Sequence, residues 1–135
     1  MAKEQIGSNA QFKGGNQSLT MIGEHCYAYS GSIGLPQDTD TTMLLFSTGK
    51  EYIISSLAVQ GDFNTMGSTA TTLKIKLNGS IIVESVTSAG NDAVAPFDYP
   101  LKLIIPPLTT IEVILAKADG GTDYLQVLLT GRVYK

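Results

Sequence analysis

The stretch Leu73-Lys74-Ile75-Lys76-Leu77-Asn78-Gly79-Ser80-Ile81-Ile82-Val83-Glu84-Ser85-Val86 reads as two strands joined at Asn78-Gly79. Asn-Gly between β-prone runs is the strongest short hairpin signal, because a type I′ turn needs φ > 0 at both central residues. A two-residue loop sets Leu77 against Ser80 and Leu73 against Glu84, an apolar-to-polar mismatch. A loop longer by one residue pairs Leu77 with Ile81, Ile75 with Val83 and Lys74 with Glu84. It gathers the apolar pairs on one face and an opposite-charge pair on the other. The longer loop is the expected register.

The same pattern extends in both directions. Upstream lie His25 to Gly31, then Thr41 to Phe46 after the turn signals Pro36 and Asp38, then Tyr52 to Val59 closed by Gly61-Asp62. Downstream, Tyr99 to Ile105 stops at Pro106-Pro107, and Thr110 to Ala116 stops at Asp119-Gly120-Gly121. Tyr124 to Tyr134 follows, with Leu125, Val127, Leu129 and Val133 on one face and Gly131 where a side chain would crowd a neighbour. Each run is short, rich in β-branched and aromatic residues, and bounded by breakers. Gly31-Ser32-Ile33-Gly34 reads as a flexible bend, and a short helical turn fits residues 62–68.

About eight strands in two sheets is the jelly-roll count. The immunoglobulin alternative lacks its Cys…Trp…Cys core, since the chain has one Cys and no Trp. The expected fold is all-β, a single jelly-roll-like antiparallel β-sandwich over residues 21–135. Residues 1–20 are polar and aperiodic and carry Gly7, Gly14 and Gly15. They read as an extended N-terminal arm, with Ile6 and Phe12 as its apolar anchors and Lys3 and Lys13 as its cations.

Composition closes several functional classes. The 135 residues suit one domain. Nine basic and twelve acidic residues give a net charge of −3, and Arg132 is the single arginine. A nucleic-acid binder needs a basic face, so nucleic acid is not an expected partner. Cys26 alone excludes an internal disulfide framework or a Cys-based zinc cluster. The opening MAKEQIGSNAQFKGG has no apolar core of a secretory signal, and no run approaches the ~18 apolar residues of a membrane span. The expectation is a soluble chain that folds in a reducing cytoplasm and has no membrane partner. Charged residues are only 16%, against roughly 25% in ordinary domains. The resulting Thr-, Ser- and Gly-rich surface suits repeated protein contact.

The catalytic inventory is thin. The single histidine, His25, adjoins Cys26, and neighbours in a strand point to opposite faces, so they form no thiolate–imidazole pair. No Gly-x-Ser-x-Gly elbow or phosphate-cradling glycine loop is present. Asp38 with Asp40, and Asp119 with Asp123, read first as turn residues. Ion binding at either turn stays open, although no twelve-residue calcium loop exists. No catalytic residue, metal ligand or cofactor is expected. Tyr27 and Tyr29 share one face of a strand and form the best candidate pair for stacking on a sugar or a neighbouring subunit.

The chain resembles the small decoration, or cement, proteins on the heads of tailed bacteriophages. The polar arm, the Thr/Gly-rich jelly roll, the segment Leu103-Ile104-Ile105-Pro106-Pro107-Leu108-Thr109-Thr110-Ile111-Glu112-Val113 and the ending Leu129-Thr130-Gly131-Arg132-Val133-Tyr134 carry the resemblance. It implies a non-enzymatic virion protein, made in the host cytoplasm and bound to the exterior of an assembled capsid. It also implies a homotrimer that staples neighbouring major capsid proteins. Lys3, Ile6, Phe12, Lys13, Tyr27 and Tyr29 are the candidate capsid or subunit contacts. Phage tail fibres and adhesins share the β-rich style, which keeps receptor or carbohydrate binding as the alternative.

Adjacent apolar pairs point to partners independently. In Ile53-Ile54, Ile81-Ile82, Ile104-Ile105 and Ile114-Leu115, alternation turns one member away from the core. Apolar residues on an outer face need a cover, and an oligomer supplies one.

Overall fold

A computed structural model describes residues 18–61, 71–86, 100–117 and 123–135. Among them lie ten strands and no helix: β1 (Thr20–Ile22), β2 (His25–Tyr29), β3 (Ile33–Leu35), β4 (Thr41–Ser47), β5 (Tyr52–Gly61), β6 (Thr71–Leu77), β7 (Ser80–Val86), β8 (Leu101–Ile105), β9 (Thr110–Lys117) and β10 (Asp123–Tyr134). One sheet runs β1-β2-β10-β5-β8, with β3 also on β10; the other runs β4-β9-β6-β7. All strand pairings are antiparallel.

Without the short β1 and β3, eight strands pair as nested hairpins. First pairs with last (β2·β10), second with seventh (β4·β9), third with sixth (β5·β8) and fourth with fifth (β6·β7). Successive pairs fall in alternate sheets, which is the jelly-roll arrangement. Contacts of β10 with β4 and of β3 with β9 stack the sheets so that β2 lies on the β4 side and β8 on the β7 side.

The core follows from alternation. Leu125, Val127 and Leu129 of β10 and Ile53 of β5 from one sheet meet Val113 and Leu115 of β9 and Ile75 of β6 from the other, all fully buried. Val133 is partly buried on the same face of β10. Gly131 belongs to this row because a Cβ there would stand 2.7 Å from the Ile54 carbonyl oxygen and 2.9 Å from Ile53 Cγ2.

Three expectations change. The described residues form ten strands, the eight of the expected order with β1 and β3 added. The segment Gly31-Ser32-Ile33-Gly34 is not only a bend: Gly31 adopts φ 75° and breaks the strand, which resumes at Ile33 as β3 on the same edge of β10. At the break the buried Ser30 hydroxyl accepts from the Val127 N–H at 2.8 Å and so preserves the ladder. The hairpin uses both registers considered for it. Asn78 and Gly79 have φ 51° and 86°, giving a two-residue turn with Leu77 opposite Ser80. A bulge between Ile75 and Lys76 on β6, which leaves Ile82 as the extra residue on β7, then shifts the ladder to Ile75↔Val83 and Lys74↔Glu84. Leu77 therefore pairs with Ser80 and not with Ile81, since the bulge corrects the mismatch one pair further along.

Bulges also break simple alternation elsewhere. A second one between Thr42 and Leu44 sends both Met43 and Leu44 into the core. The one-in, one-out reading holds at Ile53-Ile54 and Ile104-Ile105 but fails at two pairs. Ile81 and Ile82 are both exposed beside the β7 bulge, and Ile114 and Leu115 are both buried. β1 begins at Thr20, the last residue assigned to the arm, and residues 1–17 of the arm lie outside the described residues, as does the turn expected over 62–68.

One end of the sandwich is closed by three short turns bonded to one another. Thr48 N–H donates to the Thr109 carbonyl (2.9 Å), Thr109 N–H to Thr48 Oγ1 (3.0 Å), and Leu108 N–H to the Gly49 carbonyl (2.7 Å). Asn78 N–H donates to the Thr110 carbonyl at 2.8 Å, and Asn78 Oδ1 accepts from Thr110 N–H at 2.9 Å.

Candidate functional site

The outer face of the six-stranded sheet is built by alternation on β2, β10, β5 and β8. Tyr27 and Tyr29 stand on β2 as expected, their rings 4.8 Å apart and tilted by 37°. Leu128 lies opposite Tyr29, and Thr130 opposite Tyr27. Both phenols are half-buried, because each ring leans on the other and on β10. They form one aromatic surface rather than two walls of a slot.

A second aromatic pair was not legible from spacing. Tyr52 of β5 pairs with Tyr134 of β10, and the rings stack with centroids 5.2 Å apart at 14°. The Arg132 guanidinium sits 5.9 Å from the Tyr134 ring centroid and donates to Glu24 Oε1. Both aromatic and ionic partners thus fix the one arginine in place. The signal available in the sequence was the outward parity shared by Arg132 and Tyr134, but the partners Tyr52 and Glu24 come from distant segments.

Beside these groups the face is apolar. Ile54 and Ile104 are directly opposite one another on β5 and β8, 44% and 61% exposed, and Ile22 on β1 is 63% exposed. Among the described outward residues of β2, β10, β5 and β8 there is no acid. The outer face of the four-stranded sheet differs. Glu112 accepts from Thr42 Oγ1 at 2.6 Å, and Lys74 pairs with Asp40 at 3.5 Å.

The remaining candidates separate in space. Cys26 is buried and His25 exposed on the opposite face, as alternation requires. Burial pushes the Cys26 thiol up to about 11, which keeps it protonated and poorly nucleophilic at neutral pH. Asp40 is engaged by Lys74, and Asp38 takes φ 52° in the turn, its N–H donating to the Lys117 carbonyl. Asp119 lies outside the described residues, as does the side chain of Asp123. Among the described residues no group of three His, Cys, Asp or Glu side chains is placed to hold a metal ion. No helix of the described residues is long and apolar enough to cross a membrane. Lys3, Ile6, Phe12 and Lys13 lie outside the described residues.

An open cleft of about 380 Å³ is lined by Gly23, Glu24, Arg132, Val133, Tyr134 and Lys135. Of its three charged residues, Glu24 and Arg132 pair with each other, and Lys135 is the third. No protein-family model and no curated protein sequence matches the chain.

Proposed function

We propose that the chain is a non-enzymatic structural protein of a tailed-phage virion that binds the outer surface of an assembled capsid and bridges neighbouring major capsid proteins as a homo-oligomer, with three copies as the family resemblance implies. The observation that carries this reading is the aromatic and aliphatic outer face of a jelly-roll sheet, whose described outward strand residues on β2, β10, β5 and β8 include no acid, in a chain of net charge −3. Tyrosine and arginine already held in place lose little freedom when a partner covers them, and such residues dominate binding energy at protein interfaces.

Co-sedimentation tests the proposal. The protein should pellet with assembled particles and stay in the supernatant with unassembled capsid subunits; absence from the particle pellet would remove the reading. Deleting residues 2–17, which takes away Lys3, Ile6, Phe12 and Lys13, should weaken particle binding while leaving the melting temperature within a few degrees.

One observation favours a second reading. The adjoining rings of Tyr27 and Tyr29 offer a platform of the kind on which a sugar stacks. A glycan-array signal lost on Tyr27→Ala would favour receptor binding by a tail or adhesin module.

A further inference from the structure

We propose that the turn between β8 and β9 is a preformed anchor, and that Leu108 at its tip inserts into an acid-rimmed apolar pocket on the outer surface of the assembled particle. Leu108 takes φ 54°. A turn that needs φ > 0 at its third residue takes Gly or Asn there, because a bulky side chain on left-handed backbone crowds the following carbonyl. Leu108 is also 73% exposed, so its side chain regains nothing from the core. Strain kept at an exposed apolar residue points to a position held for contact.

The turn is fixed from below. The Thr48 hydroxyl donates to the Pro106 carbonyl at 2.7 Å and accepts from the Thr109 N–H at 3.0 Å. Thr109 Oγ1 donates to the Pro107 carbonyl at 2.9 Å, and the Leu108 N–H donates to the Gly49 carbonyl at 2.7 Å. Thr48 and Thr109 are both buried. Pro107 adds a locked φ beside Leu108. The tip is therefore ordered before any partner arrives, and docking it costs little backbone freedom.

The surroundings of Leu108 select its occupant. The bonded turns expose two prolines, two glycines, Asn78 and Lys50 around it. One apolar side chain in a largely polar ring has the form of an interface anchor, which fills a pocket on a folded protein. It does not suit a bilayer, where burying one leucine gives only marginal binding, and these turns carry no aromatic ring on which a sugar could stack. The cleft lined by Glu24, Arg132 and Lys135 is too charged to receive a leucine, which argues against a second copy. Glu51 is engaged by the Gly49 N–H at 2.7 Å, whereas Lys50 has no ionic partner among the described residues. An acidic rim complements that ammonium. The inference rests on the capsid reading and adds to it the surface that meets the particle. A bridging protein needs more than one contact surface, and this end of the sandwich is separate from the outer face of the six-stranded sheet.

Saturation of assembled particles with the purified full-length chain, read by co-sedimentation, tests it. Leu108→Asn should melt no lower than the wild type, because asparagine tolerates this backbone, yet should need about tenfold more protein for half-saturation. Leu108→Met keeps an unbranched apolar side chain and should bind within about threefold of the wild type. Val86→Asn removes an apolar residue, 59% exposed, at the far end of β7, and should bind as the wild type does. Lys50→Glu should weaken binding at low salt, and unchanged binding would remove the acidic rim. Wild-type saturation by Leu108→Asn, a melting temperature lowered by several degrees in that variant, or an equal loss in Val86→Asn would each overturn the inference alone. A wild type absent from the particle pellet overturns the capsid reading and this anchor with it.

Discussion

Ile114 and Ile104 both point outward from their sheets, yet Ile114 is 4% exposed and Ile104 is 61% exposed. Ile114 lies on β9, an inner strand, with Thr42 opposite it on β4 and Lys74 opposite it on β6. Lys74 reaches Asp40 at 3.5 Å, so its stem and the salt bridge lie over that part of the outer face. Ile104 lies on the edge strand β8, with Ile54 as its one described cross-strand neighbour; Arg132, on the other side of Ile54, is engaged by Glu24 and the Tyr134 ring. An outward apolar residue becomes core where polar stems close over it from both sides. On an edge strand it remains available to a partner.

The largest expected effect comes from Gly131, where β5 approaches β10 too closely for a side chain. Gly131→Ala places a methyl group within 3 Å of the backbone and side chain of β5. The loss should be about 3 kcal/mol by urea denaturation, since backbone cannot give way as a side-chain tip can. A loss under about 1 kcal/mol would show that β5 and β10 separate more easily than this packing implies.

Truncation at the two isoleucines breaks or sharpens the contrast directly. Ile114→Ala should cost about 2–3 kcal/mol, as for a core isoleucine. Ile104→Ala, measured at a dilution where the chain is monomeric, should cost about 0.5 kcal/mol or less. Equal losses would mean that the cover over Ile114 carries no weight.

The smallest effect separates the two sides of β2. Burial raises the Cys26 thiol to about 11, whereas in the unfolded chain it titrates near 9. The folded state therefore holds its proton over that interval while the unfolded state loses it. The thiol's contribution to stability is complete below pH 9 and falls as the pH rises toward 11. Cys26→Ala should abolish this part of the pH dependence in denaturation curves measured across pH 8–11. The same dependence in the variant would assign it to other groups.

Much of the architecture was legible because β-structure has a period of two and its turns carry distinctive residues. The Asn78-Gly79 turn, the Pro106-Pro107 stop and the inward set on β10 all follow from local chemistry. The bulges at Ile82 and Met43 were not legible, because an extra residue appears only when two strands are laid side by side. β3 was missed for a related reason. A three-residue strand has little propensity of its own and exists because Ser30 keeps the chain bonded to β10 across the break. Of the candidate contacts, Tyr27 and Tyr29 were readable as a pair because they share one strand. Tyr52 with Tyr134, and Arg132 with Glu24, join segments far apart in the chain.

The amino-acid sequence by itself determined an all-β sandwich, the hairpin at Asn78-Gly79, an inward Cys26 with an outward His25, and the lack of space at Gly131. Each depends on the conformational preferences of a few consecutive residues and on which side of one strand they occupy. Only the tertiary structure decided which outward isoleucines are covered and where the two aromatic pairs meet. Those features depend on strand order and register, and these arise when nested hairpins from the whole chain share a single core.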